Sequence, residues 1–535
     1  MSTKKDPPGT RTTVKVTEPP DTWDIAMAKI GEIGALPALA ILTVAMAVTY
    51  YGVFYGEIAG DDLSFHMAES RRIADCIAAG DWDFWNPSAN AGYASAYYYQ
   101  VIPQLASALP AAIFGHHTFF FQLSVFLPLV LAPLAAYRGM RLMGAVPWQA
   151  VTAAFVLSFT IGQSRWGFSA DGTFSVGLYT QTWALAAFPL ALGYGVRWIR
   201  ESTGIAPAIA WGAFVGLCHP FGGVSLGLSL ALGVIGGVFL NRDTWRSPVL
   251  TAVVAVLFNL LVVAGWYVLG RTTLLWGALA AGIVVTGAGI RLARDFRTDA
   301  TWRTSAPTVL GEPVRLVILG IGLAIATMPG WITMLIDAKG FGGFPHRVDD
   351  EVGPGFKLLG TWFYQGLILD YGRVIVLTCA LPVAMLFGRN SLLRWFWIPG
   401  IAFALLLGLG PHMPKTADDL IPAVRFLGSM QIMFALGIGA GLYSITIALW
   451  NAPENGWFLR SIRAALRLTG SWVERLTHTS LQYGVRTGIA AVVAALVVLV
   501  AVPGSRVLSG RVRVLGSDPP SVRPQMMEII DALET

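Results

Sequence analysis

Charge is what this 535-residue sequence has least of. Asp, Glu, Lys and Arg make up 13% of it, against about a quarter in ordinary soluble domains. With 55% hydrophobic residues and a mean hydropathy of +0.61, that shortage excludes a conventional soluble enzyme and makes lipid the expected solvent. Cysteine is scarce too. The three present, Cys76, Cys218 and Cys379, are far apart and form no CxxC, so neither a disulfide framework nor a zinc knuckle is indicated. There is no GxxxxGK[ST], no GxGxxG between strand and helix, no HExxH and no GxSxG, which leaves nucleotide hydrolysis and the common hydrolase sites without support.

What is abundant is apolar sequence. Stretches of roughly 17 to 25 apolar residues recur almost from end to end, each able to cross a hydrocarbon core of about 30 Å as a helix. The chain is therefore expected to be an all-α polytopic membrane protein with about thirteen transmembrane helices. Residues 1–34 read as a disordered cytoplasmic tail and residues 35–503 as the transmembrane domain. Within that domain, residues 56–117 form a long first extracytoplasmic loop carrying interfacial helices, 337–370 a second long outer loop, and 451–486 a basic amphipathic inner segment. Residues 504–535 form a short extracytoplasmic tail. Segments 151–163 and 316–336 are each expected to be one outward crossing.

The net charge of +6 and pI near 9.2 do not signal nucleic acid, because the basic residues are spread over short connections between apolar segments. Such a bias orients a protein in the cytoplasmic membrane, here with the N-terminus inside and the C-terminus outside. Of seven histidines only His478 falls inside; His66, His116, His117, His219, His346 and His412 fall on or near the outer side. Titratable groups collecting on one side mark the side on which to seek chemistry.

The first loop is the richest stretch. Asp61 or Asp62 is placed to cap a short helix over Leu63 to Ala79, and on that helix Asp62, His66 and Glu69 share one face. Carboxylate and imidazole together can act as an oriented general base or bind a divalent metal ion. Read structurally, the aspartate is a cap and His66 an interfacial side chain. Trp82, Trp85, Tyr93, Tyr97, Tyr98 and Tyr99 suit the interfacial level of a bilayer and can also stack on a sugar ring.

In the second long loop, His346, Arg347, Asp349, Asp350 and Glu351 gather a cation, an imidazole and three carboxylates. Arg347 can hold a phosphate and the acids can complete a metal site with Asp62 and His66, or the run is simply solvated. Arg425, following Pro422 at the start of an apolar span, either snorkels, pairs, or holds a lipid phosphate. His219-Pro220 makes a tight outer turn that can point the imidazole into an outer cavity or bury it as a satisfied histidine. Asp171 is an outer-loop acid for which a turn role is the ordinary explanation.

Gly60-Asp61-Asp62 followed by His66, then Gly80-Asp81-Trp82, Trp85-Asn86-Pro87 and Gly92-Tyr93, resembles the GT-C superfamily of integral-membrane glycosyltransferases, most of all a branch of bacterial and archaeal multi-pass proteins. The likeness covers about the first two hundred residues, the rest by topology only. The resemblance implies an enzyme in which Asp61 or Asp62 activates an acceptor, and whose donor is a sugar on a polyprenyl phosphate. It also implies a second acid near Asp171 and a donor phosphate held by Arg425 or Arg347. Departures are the lack of any sequon-reading motif and the short tail, whose 522–533 segment reads as an amphipathic helix suited to a protein partner. Two other readings stay open: a lipid or solute transporter or flippase, and a non-catalytic subunit of a membrane assembly.

Overall fold

The computed structural model describes residues 22–58, 62–86, 93–94, 101–162, 167–168, 170, 172–240, 302–336, 354–370, 375–387, 391–413, 422–450, 481–510, 512 and 514–515. Those residues form helices α1 (Thr22–Tyr50), α2 (Leu63–Ala79), α3 (Val101–Phe114), α4 (His117–Leu142), α5 (Pro147–Ser158), α6 (Tyr179–Glu201), α7 (Ile205–Cys218) and α8 (Pro220–Leu240). They continue with α9 (Trp302–Ala326), α10 (Met328–Ile336), α11 (Gly355–Tyr364), α12 (Val376–Phe387), α13 (Arg394–Leu409), α14 (Leu427–Trp450) and α15 (Leu481–Ser509). Four two-residue strands complete the set: β1 (Glu57–Ile58), β2 (Trp85–Asn86), β3 (Tyr93–Ala94) and β4 (Val514–Leu515).

The expected class, an all-α multi-pass membrane protein, matches this architecture. Among the described residues five helices are long and apolar enough to cross a membrane: Ile33–Tyr55, His117–Leu142, Arg394–His412, Ala423–Trp450 and Gly488–Ser509. The expected number of about thirteen is not reached among them, and residues 241–301, expected to carry two spans, lie outside the described set.

Two of the expected crossings take another form. The 151–163 segment is helical only as far as Ser158, so α5, with 12 residues, is about 18 Å long and cannot span the hydrocarbon alone. Beyond it the chain turns out of the helix at Phe159, and Ile161 N–H donates to the Leu369 carbonyl at 3.1 Å. The 316–336 segment is broken at Thr327. Pro329 has no N–H for the ladder and restrains the residue before it, so α9 stops and α10 starts afresh. Trp331 Nε1 donates to the Ala324 carbonyl at 3.0 Å, and Gly330 N–H to Thr327 at 2.9 Å, so carbonyls released by the break still find donors.

The core is built on α4 and α6, which lie against each other with α5, α7 and α8 around them. A Cβ added at Gly139 would lie 2.1 Å from the Pro189 carbonyl oxygen, and one at Gly193 would lie 2.5 Å from that of Gly139. The two backbones touch, as small residues permit in helix packing where dispersion replaces the hydrophobic drive. Packed this way, α6 is interior: Tyr179, Gln181, Leu185, Phe188, Leu192 and Val196 are all buried.

In the first loop, α2 and α3 bury Ile73, Ala74, Ala108 and Ala111 between them as a small separate core. The helix read from spacing is found with the same bounds, Leu63–Ala79. Antiparallel pairing of Glu57 with Leu515 and Ile58 with Val514 ties the segment after α15 to the start of this loop. Loop and tail thus sit at the same end of the molecule. The tail's 522–533 segment and the inner 451–480 stretch lie outside the described residues.

At that end Gln431 of α14 fastens two connections. Fully buried, it accepts from Phe168 N–H at 2.7 Å through Oε1 and donates from Nε2 to the Ile368 carbonyl at 2.8 Å. Gln431→Leu keeps the bulk but leaves both buried backbone groups without a partner, each costing about 1–3 kcal/mol. A fall in the thermal-unfolding midpoint of several degrees is expected, and an unchanged midpoint would show the fastening to be idle.

Candidate functional site

The N-terminus of α2 is held by the segment that precedes α6. Asp62 N–H donates to the Val176 carbonyl at 2.9 Å, closing the π-helical turn Gly172–Val176 onto the start of α2. Gly177 makes the approach possible. Its φ is +88°, and a Cβ there would lie 2.5 Å from Leu63 N and 2.7 Å from Asp62 N. The two loops that carry Asp61, Asp62 and Asp171 are therefore in backbone contact, although Asp61 and Asp171 themselves lie outside the described residues.

Asp62 occupies the cap position, as the sequence suggests, but its carboxylate makes no capping hydrogen bond. The reason is local: its backbone is already near-helical (φ −94°, ψ −8°), not extended as a capping geometry requires. It is exposed at the rim. The expected shared face of Asp62, His66 and Glu69 divides accordingly, with Asp62 exposed and the other two buried.

Glu69 Oε1 accepts from Asn86 Nδ2 at 3.0 Å, while Arg72 Nε and Nη2 donate to the Trp85 carbonyl at 2.8 and 2.6 Å. Both side chains thereby hold the Trp85-Asn86 strand, which pairs with Tyr93–Ala94. The stretch that carries the family resemblance is clamped to α2.

His66 faces inward. Gln104 Nε2 lies 3.0 Å from its Nδ1; with the amide donating, the ring proton sits on Nε2. The ring lies 5.5 Å from that of Tyr179, whose hydroxyl donates to the Pro103 carbonyl and meets Ser124 Oγ at 2.8 Å. Behind it the buried Ser70 and Ser107 and the half-buried His117 form a further polar chain between α2, α3 and α4.

His219 follows α7 with extended backbone, and its carbonyl accepts from Gly222 and Gly223 N–H at the start of α8. The side chain is 3% exposed and packs against Phe221. Arg425 stands half-buried in the short 3-10 turn Ala423–Phe426, whose Phe426 contacts Phe221 and Phe403. Burial holds the His66 imidazole at a pKa of about 4. Burial lowers His219 further, to about 3, with the Arg425 guanidinium and the His66 ring adding to it. His219 packs on Phe221, and Phe221 on Phe426 beside Arg425, so residues far apart in sequence bring a guanidinium and two neutral imidazoles into one neighbourhood.

The pH consequence follows from proton counts. Between about pH 6.5, where histidine titrates in the unfolded chain, and about pH 4, the unfolded chain binds protons that the folded one excludes. Stability is therefore full above about 6.5 and falls as the pH drops, by at most about 1.4 kcal/mol per unit for each histidine. The unfolding midpoint of the detergent-solubilised protein should decline below pH 6.5, with a shallower slope in His66→Gln. An identical slope in that variant would mean the ring is already charged in the fold.

His346, Arg347, Asp349 and Asp350 lie outside the described residues. Among the described residues no group of three or more His, Cys, Asp or Glu side chains is placed to hold a metal ion. His66 Nδ1 is taken by Gln104, and Asp62 stands at the solvent rim, so this pair does not by itself build the metal site considered above. Sequence reading passed over Gln104, Gln181 and Gly177. A signal existed for the amides: each is a polar residue inside an otherwise apolar helix, an arrangement that costs free energy unless used.

No family model matches the chain, and no curated protein matches it. Several solved structures of the archaeal oligosaccharyltransferase AglB from Archaeoglobus fulgidus are similar. The complex with an inhibitory peptide and a dolichol-phosphate shares 15% identity at a TM-score of 0.44, covering 89% of this chain and 56% of that one. The apo form shares 16% at 0.41, covering 91% and 57%. The form tethered to an acceptor peptide containing the NVT sequon shares 15% at 0.43, covering 91% and 56%. This chain thus spans somewhat more than half the length of those proteins.

Proposed function

We propose that this protein is a membrane glycosyltransferase that moves a sugar from a polyprenyl-phosphate donor to an acceptor at the outer face of the cytoplasmic membrane. The observation that carries the reading is the convergence of His66, His219 and the Arg425 turn beside the loop that bears Asp61 and Asp62: His219 packs on Phe221, which contacts Phe426 next to Arg425, and α6 reaches both His66 through Tyr179 and the Arg425 carbonyl through Gln181. A donor phosphate needs a fixed positive charge that loses no proton at working pH, and a guanidinium supplies it. The acceptor needs a base at the accessible rim, where Asp62 lies.

In the proposed reaction an aspartate of the first loop takes the acceptor proton. The acceptor oxygen or nitrogen attacks the anomeric carbon, and the bond from that carbon to the phosphate oxygen breaks. The electron pair leaves with the polyprenyl phosphate, whose added charge Arg425 stabilises, as preorganised donors do for developing anions. Neutral His66 and His219 can donate hydrogen bonds without adding charge. Asp171, which the resemblance makes a second acid, and His346 and Arg347 remain candidates for the same site, and no step is assigned to a metal ion. One similar structure holds a dolichol-phosphate, the same class of lipid; the assignment to this chain rests on the residues.

The test is reconstitution of the full chain in vesicles with a polyprenyl phosphate bearing a radiolabelled hexose. Cleavage of the sugar–phosphate bond, with label passing to an added acceptor extract, is expected. Label that crosses the bilayer with the bond intact would make the protein a transporter instead.

A further inference from the structure

Two buried amides at this site have an oxygen without a use among the described residues. Gln104 Oε1 and Gln181 Oε1 have no hydrogen-bond partner there, on side chains that are 6% and 2% exposed. Each belongs to an amide whose nitrogen end is already placed against the site. Gln104 Nε2 bonds His66, and Gln181 Nε2 makes a long contact of 3.5 Å to the Arg425 carbonyl. His66 and Arg425 in turn both act on His219. The two amides stand on adjoining elements: Tyr179, two residues before Gln181 on α6, donates to the carbonyl of Pro103, next to Gln104, and its ring lies 5.5 Å from that of His66.

A buried acceptor without a donor is costly, and a ligand that brings a donor removes the cost. A carbonyl oxygen accepts and cannot donate, so the ligand must offer O–H or N–H groups. The hydrocarbon tail of a polyprenyl lipid offers none, and a phosphate ester at working pH offers almost none. A sugar ring offers several.

We propose that Gln104 and Gln181 form a subsite that receives ring hydroxyls of the sugar carried by the donor, beside the phosphate held at Arg425. This rests on the glycosyltransferase reading above and extends it: the same site that holds the phosphate as an anion selects its cargo as a polyol. Such a site discriminates strongly, because a sugar lacking the hydroxyl leaves the buried oxygen unpaired.

The test uses the full chain in lipid nanodiscs and three probes: a short polyprenyl phosphate, the same lipid bearing a hexose, and a set bearing single-deoxy hexoses. Wild-type protein is expected to bind the hexose lipid at least tenfold more tightly than the bare phosphate. Gln104→Met and Gln181→Met should each remove most of that gain while leaving affinity for the bare lipid phosphate within about twofold. The unliganded melting midpoint of Gln181→Met should change little, because loss of the long contact to the Arg425 carbonyl is offset by removal of an unpaired buried oxygen; a merely structural glutamine would lower it. Should either variant fail to fold, the deoxy series on wild type decides, with at least one ring position expected to cost tenfold or more.

A hexose that adds nothing in wild type, variants that keep the gain, or deoxy sugars that all bind equally would overturn the subsite, with trapped water then satisfying both amides. The glycosyltransferase reading would survive those results. Failure of wild type to bind any of these lipids would overturn both together.

Discussion

Asp61→Asn and Asp62→Asn, made separately, are expected to include one variant that folds normally and transfers no sugar. Asparagine keeps the shape of the side chain and removes its basicity, so a general base is lost with little steric change; such losses run to about 10²–10⁴-fold in rate. For Asp62 the structure removes the usual competing explanation. Its carboxylate makes no capping hydrogen bond to α2, so amidation there takes no cap from the helix. Its N–H, which does hold the Val176 carbonyl, is untouched by the change. The measurement is initial rate with the lipid-linked donor, beside the melting midpoint of each variant. Full activity in both would remove the first loop from the chemistry, leaving Asp171 as the acid to examine.

Gly177→Ala is expected to be nearly as damaging, by a different route. A Cβ at this position meets backbone nitrogen at 2.5 and 2.7 Å, and backbone cannot swing aside as a flexible side chain can. The positive φ adds strain of about 1–3 kcal/mol for a residue with a side chain. Relief requires the loop before α6 to part from α2, breaking the Asp62–Val176 hydrogen bond and shifting the acids at the rim. A displacement of about 1 Å at a reacting group can cost about 100-fold in rate. Gly80→Ala is the control, since Gly80 also has positive φ (+74°) but no atom within 4 Å of its Cβ. It should lose about 1 kcal/mol and retain activity. Equal behaviour of the two variants would mean torsion alone, and not the contact between the loops, is responsible.

The first loop shows how far local pattern reaches. Leu63–Ala79 was legible to the residue because amphipathic spacing and a terminal glycine are both local signals, and Gly80 does take the left-handed cap. The role of Asp62 was not legible, because whether a cap residue bonds its own helix depends on a backbone angle fixed by the Val176 contact. The break at Thr327 was written in Pro329, yet hydropathy averaged over a whole span conceals it. Arg425 and His219 stood out one by one as polar residues at the ends of apolar helices. That they lie together was in neither segment.

The sequence by itself determined the solvent, the class of fold and the loop to search, since scarcity of charge and long apolar runs are properties that each segment carries alone. Tertiary structure decided which residues form one site. Packing of α4 on α6 through Gly139 and Gly193, and the closure of the Gly177 turn on α2, bring side chains from α2, α3, α6, the turn after α7 and the turn before α14 to one end of the bundle. Periodicity within a helix reports which face is apolar; which other face it meets is set by contacts between segments far apart in the chain, where a local signal has nothing to say.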